Sequence, residues 1–128
     1  MATADGWVDS LGRPFLRVLL PGLEDLLEMK VDTGFNGALW TGSGEAGRIA
    51  LQLLPNAVAY TLAGGRRADV RLGVVRLSWL DQEREVDVAI VPEERRRRET
   101  PLLGTQVLTE WGCTLMIDFP RRLVRVST

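Results

Sequence analysis

Residues 29–40 read Met29-Lys30-Val31-Asp32-Thr33-Gly34-Phe35-Asn36-Gly37-Ala38-Leu39-Trp40, and this stretch places one acid at a tight turn between two apolar runs. The acid is followed by a hydroxyl residue and a glycine, an order that holds a carboxylate in one orientation, because glycine leaves the backbone unhindered. A carboxylate at such a position is either a turn residue or a catalytic acid. The choice depends on the chemistry that the rest of the chain permits.

The sequence has no histidine, and its single lysine, tyrosine and cysteine are Lys30, Tyr60 and Cys113. Nucleophiles of the Ser-His-Asp and Cys-His types need an imidazole, as do zinc sites built on histidine. One cysteine without histidine leaves no ligand cluster for a transition metal, and Cys113 lies in an apolar run typical of a buried hydrophobe. We therefore expect no metal and no cofactor, and any chemistry must be carboxylate chemistry.

The chain has 128 residues and a formal net charge of -1 at pH 7. This length suits a single domain covering residues 1–128. A net charge near zero gives no global attraction to nucleic acid or to an acidic membrane, so neither is expected as a partner. The N-terminus lacks a basic start and an apolar run of signal-peptide length, and no stretch approaches a membrane helix. We expect a soluble, cytoplasmic protein.

Apolar and polar residues alternate with period two through most of the chain, which predicts an all-β fold. Pro21-Gly22 marks the turn of a hairpin that leads into Asp32, and Gly64-Gly65 marks another hairpin. Short helices are predicted at residues 44–53 and at Thr105–Glu110. The predicted strands cover residues 13–20, 25–31, 38–40, 57–63, 68–72, 74–80, 86–91, 113–117 and 122–126.

The order of three motifs resembles the retropepsin-like aspartic proteases, and most of all their small bacterial members. The motifs are Val31-Asp32-Thr33-Gly34, the Gly64-Gly65 hairpin, and Leu102-Leu103-Gly104 followed by Thr105. Together they span nearly the whole chain, and their order is more specific than any one of them. The resemblance implies an all-β, closed β-barrel-like acid-protease fold with one short C-terminal helix. It also implies one catalytic Asp in each chain and a homodimer that completes the site.

The chemistry of paired carboxylates explains why two chains are needed. Two carboxylates held about 3 Å apart cannot both ionise readily, so the pair keeps one proton. One Asp32 then takes a proton from a bound water that attacks the scissile carbonyl, while the other Asp32 donates to the developing oxyanion. By resemblance, Thr33 ties the two acid loops together and Gly34 lets the backbone approach the substrate.

Two further segments take expected roles from the resemblance. Ala63, Gly64 and Gly65 match the flap, a mobile lid that closes over an extended peptide, and a plain hairpin turn is the alternative. Leu102, Leu103 and Gly104 match the segment that packs against the acid loop. Asp118 precedes Phe119-Pro120 and is interpreted as a strand-end or turn acid, because no hydroxyl residue and glycine follow it.

Three positions depart from the retroviral pattern. Asn36 and Thr105 stand where the retroviral enzymes carry an Asp and an Arg, so that charge pair is absent from both ends. Phe35 stands where a small residue is usual; packing in the core is favoured over narrowing of the pocket. Two interpretations follow: an aspartic endopeptidase that acts as a homodimer, or a catalytically silent module of the same fold that dimerises or binds peptides.

Overall fold

A computed structural model describes residues 1–61, 64–65, 67–92 and 99–128. In this part of the chain, strands predominate and the helices are short, so the predicted all-β class is confirmed. The elements in chain order are β1 Thr3–Val8, β2 Pro14–Val18, β3 Leu27–Val31, β4 Leu39–Gly42, α1 Ser43–Ala46, β5 Gln52–Thr61, β6 Arg67–Trp79, β7 Gln82–Val91, β8 Leu102–Leu103, α2 Thr105–Glu110, β9 Thr114–Asp118 and β10 Leu123–Ser127.

The described strands form one sheet in the order β5-β6-β7-β4-β8-β3-β2-β1-β10-β9. Most neighbours pair antiparallel, but β3 pairs parallel to β8 and β4 pairs parallel to β7. The short strand β8 therefore lies between β3 and β4, parallel to the first and antiparallel to the second. This arrangement joins the N-terminal hairpins to the β5–β7 meander.

Alternation along the strands builds the core. In β7, Val86 and Val88 are buried while Asp87 between them is exposed, because successive side chains point to opposite faces of the sheet. The main core cluster also draws on β2, β3, β8, α2 and β10, and full burial of one such aliphatic side chain stabilises the fold by about 1.5–3 kcal/mol. Its fully buried members include Leu16, Met29, Leu39, Leu77, Val88, Leu103, Val107 and Val124.

β1 is a strand that the sequence pattern does not predict. Ala4, Asp5 and Gly6 at its centre have weak intrinsic strand propensity, yet the strand pairs with β10 from Thr3↔Ser127 to Trp7↔Leu123 and also with β2. A Cβ atom at Gly6 would lie 1.8 Å from the carbonyl oxygen of Phe15, so this close approach of backbones requires glycine. Pairing with distant segments, rather than local propensity, creates the strand.

α1 ends at Ala46 and is shorter than the predicted helix over residues 44–53. Glycine at positions 44 and 47 weakens the helix, and Gln52 already pairs with Val74 as β5 begins. β5 therefore starts before the predicted residue 57 and passes Pro55 with a change of register between Leu53 and Ala57.

β6 is one continuous strand, Arg67–Trp79, where the pattern predicts two strands separated at Gly73. The turn that follows is also tighter than predicted. Leu80 and Asp81 have φ values of 48° and 59°, so β7 begins at Gln82 rather than at Val86.

α2 occupies the predicted range Thr105–Glu110. Trp111 at its C-terminal end is 2% exposed, and its indole Nε1 donates to the carbonyl oxygen of Trp79 at 2.7 Å. The side-chain amide of Gln82 donates in turn to the carbonyl oxygen of Trp111 at 3.3 Å. These bonds fix the helix against the β6–β7 turn. Neither of the described helices has the length and apolar character needed to cross a membrane.

Candidate active site

Asp32 follows β3 directly, at the start of the acid loop, which we define as residues 32–38. Its amide donates to the carbonyl oxygen of Leu103 at 3.0 Å, and its own carbonyl accepts from the amide of Phe35 at 3.1 Å. The Oδ1 atom accepts from the amide of Gly34 at 2.9 Å. The carboxylate is thus held in one orientation, while 30% of the side-chain surface stays exposed.

The acid loop closes around β8. Val31 and Leu39, on the two sides of the loop, both have Leu103 as their Cα partner in the sheet. The amide of Gly104 then donates to the carbonyl oxygen of Ala38 at 2.8 Å. The structure therefore brings together the two segments that the sequence analysis pairs, the Asp-Thr-Gly turn and Leu102-Leu103-Gly104.

The start of α2 braces the acid loop. The amide of Thr105 donates to the carbonyl oxygen of Phe35 at 2.9 Å, and the amide of Gln106 donates to that of Gly37 at 3.2 Å. The first amides of a helix have no partners within it, so the loop carbonyls satisfy them. The Thr105 hydroxyl adds a bond of 3.3 Å to the same Phe35 oxygen. Main-chain and hydroxyl bonds thus brace the loop at positions where the retroviral pattern has a charge pair, and Asn36 is exposed.

Phe35 packs against two other aromatic residues. Its ring centroid lies 5.8 Å from that of Trp40 and 6.2 Å from that of Tyr60, and the Trp40 and Tyr60 centroids are 5.9 Å apart. Trp40 is buried, and the other two are partly buried against the same cluster. The prediction that Phe35 packs in the core is confirmed. This aromatic cluster of Phe35, Trp40 and Tyr60 joins the acid loop to β5.

Two of the predicted flap residues, Gly64 and Gly65, lie in the turn between β5 and β6. Gly64 and Gly65 are exposed and have φ values of 86° and 77°, a conformation that favours glycine. Thr61 pairs with Arg67 across the base of this hairpin, so the predicted hairpin is present. Ala63 lies outside the described residues. The hairpin connects to the acid loop through Tyr60 and Phe35.

Lys30 is a neighbour of Asp32 that the sequence analysis does not assign to the site. Its Nζ atom lies 3.9 Å from Oδ2 of Asp32, and each side chain keeps 30% of its surface exposed. Residues i and i+2 of a strand share a face, so the spacing of Lys30 and Asp32 already indicates that the two side chains lie together. Lys30 is the one lysine of the chain, and its spacing from Asp32 is the sequence signal that could have identified it as a site residue.

The remaining polar residues of the acid loop face solvent. Thr33 and Gly34 are exposed, and within the described residues the Thr33 hydroxyl makes no hydrogen bond. In the same part of the chain, no group of three His, Cys, Asp or Glu side chains could hold a metal ion.

Two other groups behave as structural residues. Asp118 ends β9 and accepts from the amide of Arg121 at 3.1 Å, as expected for a strand-end acid. Cys113 is partly buried against the main core, and this burial raises the pKa of its thiol. At neutral pH it is therefore a protonated thiol, which is a weak nucleophile.

Comparison with known proteins informs the fold. No protein-family model matches the sequence, and the search of curated proteins finds no match either. Among solved structures, the chain is similar to a retropepsin-like aspartic protease from Rickettsia conorii, with 14% identity and a TM-score of 0.67 over 97% of this chain and 89% of that one. It is also similar to the inhibitor-bound EIAV protease, with 16% identity and a TM-score of 0.61 over 81% of this chain and 92% of that one. The predicted retropepsin-like fold is confirmed.

Proposed function

We propose that the chain is one subunit of a homodimeric aspartic endopeptidase that hydrolyses peptide bonds at a pair of Asp32 carboxylates. The observation that carries the proposal is the mounting of Asp32. One carboxylate oxygen is fixed by the amide of Gly34, and the main chain is fixed by Leu103, in a loop that stays partly exposed. Both similar structures are named as proteases, which supports the assignment.

A second copy of the chain supplies the second carboxylate. Water activation needs one carboxylate to accept a proton and another to donate one, and a single Asp32 does not do both at once. Asp118 is engaged with Arg121 at the end of β9 and is no substitute. The exposed Thr33 hydroxyl lies beside Asp32 and is available to the matching loop of the partner.

The edge strand β9 is the surface through which we propose that the two copies meet. β9 ends the described sheet and pairs there with β10 alone, so its other edge carries unpaired backbone groups. Met116 on this strand is 41% exposed, and Phe119 just after it is 56% exposed. A second copy of β9 would pair with the free edge and cover both side chains.

The reaction proceeds in two steps. The ionised Asp32 takes a proton from water, the water oxygen bonds to the carbonyl carbon, and the protonated Asp32 gives its proton to the carbonyl oxygen. In the second step, the Asp32 that is now protonated gives its proton to the leaving nitrogen as the C–N bond breaks, and the other Asp32 takes a proton from a hydroxyl of the tetrahedral intermediate. A carboxylic acid and an amine are released, and the pair of carboxylates is left with one proton as at the start.

Replacement of Asp32 by Asn tests the catalytic role. We expect Asp32→Asn to abolish cleavage of an unfolded protein followed by mass spectrometry, while Asp87→Asn, a matched change at an exposed acid of β7, leaves cleavage intact. In mixtures of wild type and Asp32→Asn, activity should fall as the square of the wild-type fraction, because only wild-type pairs are active. Cleavage that survives Asp32→Asn contradicts the proposal.

The pairing surface has its own test. Met116→Lys replaces an exposed apolar side chain of β9 with a charge that pairing of two copies would cover, and it should shift the protein towards monomer in analytical ultracentrifugation, with a parallel loss of activity. Leu11→Lys is the matched control, because Leu11 is 76% exposed in the turn between β1 and β2. A dimer unaffected by Met116→Lys would place the interface elsewhere.

A catalytically silent module is the second candidate. The Lys30–Asp32 ion pair is the observation that favours this candidate, because an acid paired with a cation can have a purely structural role. Such a protein would dimerise and bind extended peptides without releasing product. Long incubation with a diverse peptide mixture distinguishes the two candidates, since only the endopeptidase produces new N-termini.

A further inference from the structure

We propose that Lys30 is a specificity-determining residue that selects peptides with an acidic side chain next to the scissile bond. The inference rests on the proposed endopeptidase function and adds a substrate class to it. Lys30 is the one cation that forms an ion pair with Asp32 in the described part of the chain.

The ammonium of Lys30 has capacity for a further partner. Its distance of 3.9 Å to Oδ2 of Asp32 is an ion-pair contact, longer than the roughly 2.7–2.9 Å of a charge-assisted hydrogen bond. Within the described residues, Nζ donates no hydrogen bond, although an ammonium carries three donors. The side chain is 30% exposed, so a ligand can reach it.

The position of Lys30 is fixed by the sheet. The residue pairs with Phe15 of β2 on one side and with Leu102 of β8 on the other. Its amide donates to the carbonyl oxygen of Pro101 at 2.9 Å. The paired strand therefore fixes the main chain of Lys30 beside the acid loop, and its flexible stem lets the ammonium meet a substrate there.

The distance between Lys30 and Asp32 brings this cation within reach of a side chain beside the scissile bond. The scissile carbonyl must come within about one water molecule of the Asp32 carboxylate for the reaction to occur. The residue before the scissile bond carries its side chain on the Cα bonded to this carbonyl carbon, and the residue after the bond carries its side chain on the Cα bonded to the leaving nitrogen. Because Nζ of Lys30 is 3.9 Å from the same carboxylate, the carboxylate of a flanking Glu can reach the ammonium.

Apolar side chains lie on the strand next to Lys30. Leu102, its partner in β8, packs against the cluster that contains Trp40, with Phe35 and Tyr60 at its border. Apolar neighbours reduce screening by water, and this strengthens attraction between the ammonium and an acidic side chain. In a two-fold dimer, one Lys30 would lie on each side of the scissile bond. The preference should therefore hold for an acidic residue on either side.

The test compares two peptides that differ only by Glu or Gln beside the scissile bond, at a pH above about 5 so that Glu is ionised. Wild type should cleave the Glu peptide with a kcat/KM about tenfold higher, the size expected for one partly screened charge pair. Lys30→Met should bring the ratio to about one, and Lys30→Arg should retain it. Arg76→Met is the matched control, since Arg76 forms a surface ion pair with Glu83. The wild-type preference should also decline with added salt.

Each outcome bears on the inference. Equal kcat/KM values for the two peptides in wild type, or a Glu preference that survives Lys30→Met, would overturn it while leaving the endopeptidase intact. Absence of cleavage by wild type would count against the proposed function instead. In that case, fluorescence anisotropy of the same peptides binding to Asp32→Asn tests the role of Lys30. The role of Lys30 is supported if Asp32→Asn binds the Glu peptide more tightly than the Gln peptide and the double variant Asp32→Asn/Lys30→Met does not. Equal binding of the two peptides by Asp32→Asn rejects it.

Discussion

The amide and the hydroxyl of Thr105 both donate to the carbonyl oxygen of Phe35, at 2.9 Å and 3.3 Å. The two residues are 70 positions apart in the sequence, so this double contact holds the acid loop against the start of α2. It stands where the retroviral pattern places one end of a charge pair. A brace made of hydrogen bonds within one chain does not depend on the ionisation of either residue.

Removal of the Thr105 hydroxyl should weaken this brace. Thr105→Val keeps the shape of the side chain, and we expect it to lower the free energy of unfolding by about 0.5–1.5 kcal/mol, the net value of one hydrogen bond. Thr105→Ser keeps the hydroxyl and is the control. Urea denaturation followed by circular dichroism measures both. If Val and Ser at position 105 behave alike, the hydroxyl contributes nothing to the brace.

Gly104 should tolerate no side chain. A Cβ atom there would lie 2.1 Å from the carbonyl oxygen of Gly37 and 2.7 Å from that of Phe35. Because both are main-chain atoms, relief requires the acid loop to move, and we expect Gly104→Ala to cost about 3 kcal/mol or more. The temperature of thermal unfolding and the rate of cleavage should both fall.

Gly47→Ala is the matched control for Gly104→Ala. Gly47 has a φ of -63°, and its added Cβ would meet nothing closer than 3.6 Å, so we expect stability to change little. Equal losses of stability in the two variants would show that the packing of Gly104 against the acid loop is not the cause of the loss in Gly104→Ala.

The aromatic cluster should couple the acid loop to β5. Phe35→Ala removes the ring that contacts Trp40 and Tyr60, at a cost of about 2–3 kcal/mol, less than for a fully buried Phe because the ring is partly exposed. Hydrogen exchange of the β5 amides should be faster in Phe35→Ala than in wild type, and Phe35→Leu should have a smaller effect. Unchanged exchange in β5 would mean that the two segments are independent.

Acid should loosen the pairing of β1 with β10. The Arg125 guanidinium, hydrogen-bonded to Asp5 at 2.7 Å, lowers the pKa of that carboxyl below its usual 3.8. The folded pKa is the lower one, so the stabilisation is complete above the unfolded value and is lost as the pH falls through the folded value. Asp5→Asn should therefore lose less stability than wild type between about pH 6 and pH 3.

Urea midpoints at the two pH values measure this difference. Arg125→Gln removes the same ion pair from the other strand and should give the same reduced pH dependence as Asp5→Asn. A pH dependence as steep as that of wild type in both variants would exclude the Asp5–Arg125 pair as its source.

Local patterns predict much of this fold. The hairpin that leads into Asp32, the turn at Gly64-Gly65 and the helix Thr105–Glu110 each have a signal within a few residues, either a turn sequence or an apolar period. The pairing of the acid loop with Leu102-Leu103-Gly104 was expected only through the family resemblance.

The features that could not be predicted depend on distant contacts. β1 exists because it pairs with β10 at the other end of the chain, and no period in its own residues indicates this. The replacement of the missing charge pair by main-chain donors also has no sequence signal, because every residue carries an amide. The bond from the Trp111 indole to Trp79 needs the tertiary arrangement of α2 and β6.

The position of β8 between β3 and β4 also has a consequence for the order of folding. A chain emerging from the ribosome can pair β2 with β3 early, but the central sheet stays open until residues 102 and 103 arrive to fill it. Contacts between segments so far apart in sequence form slowly, because a long loop must close first. Asp32 therefore acquires its final mounting only late in synthesis, and a nascent chain that lacks β8 holds its acid in an unfinished loop.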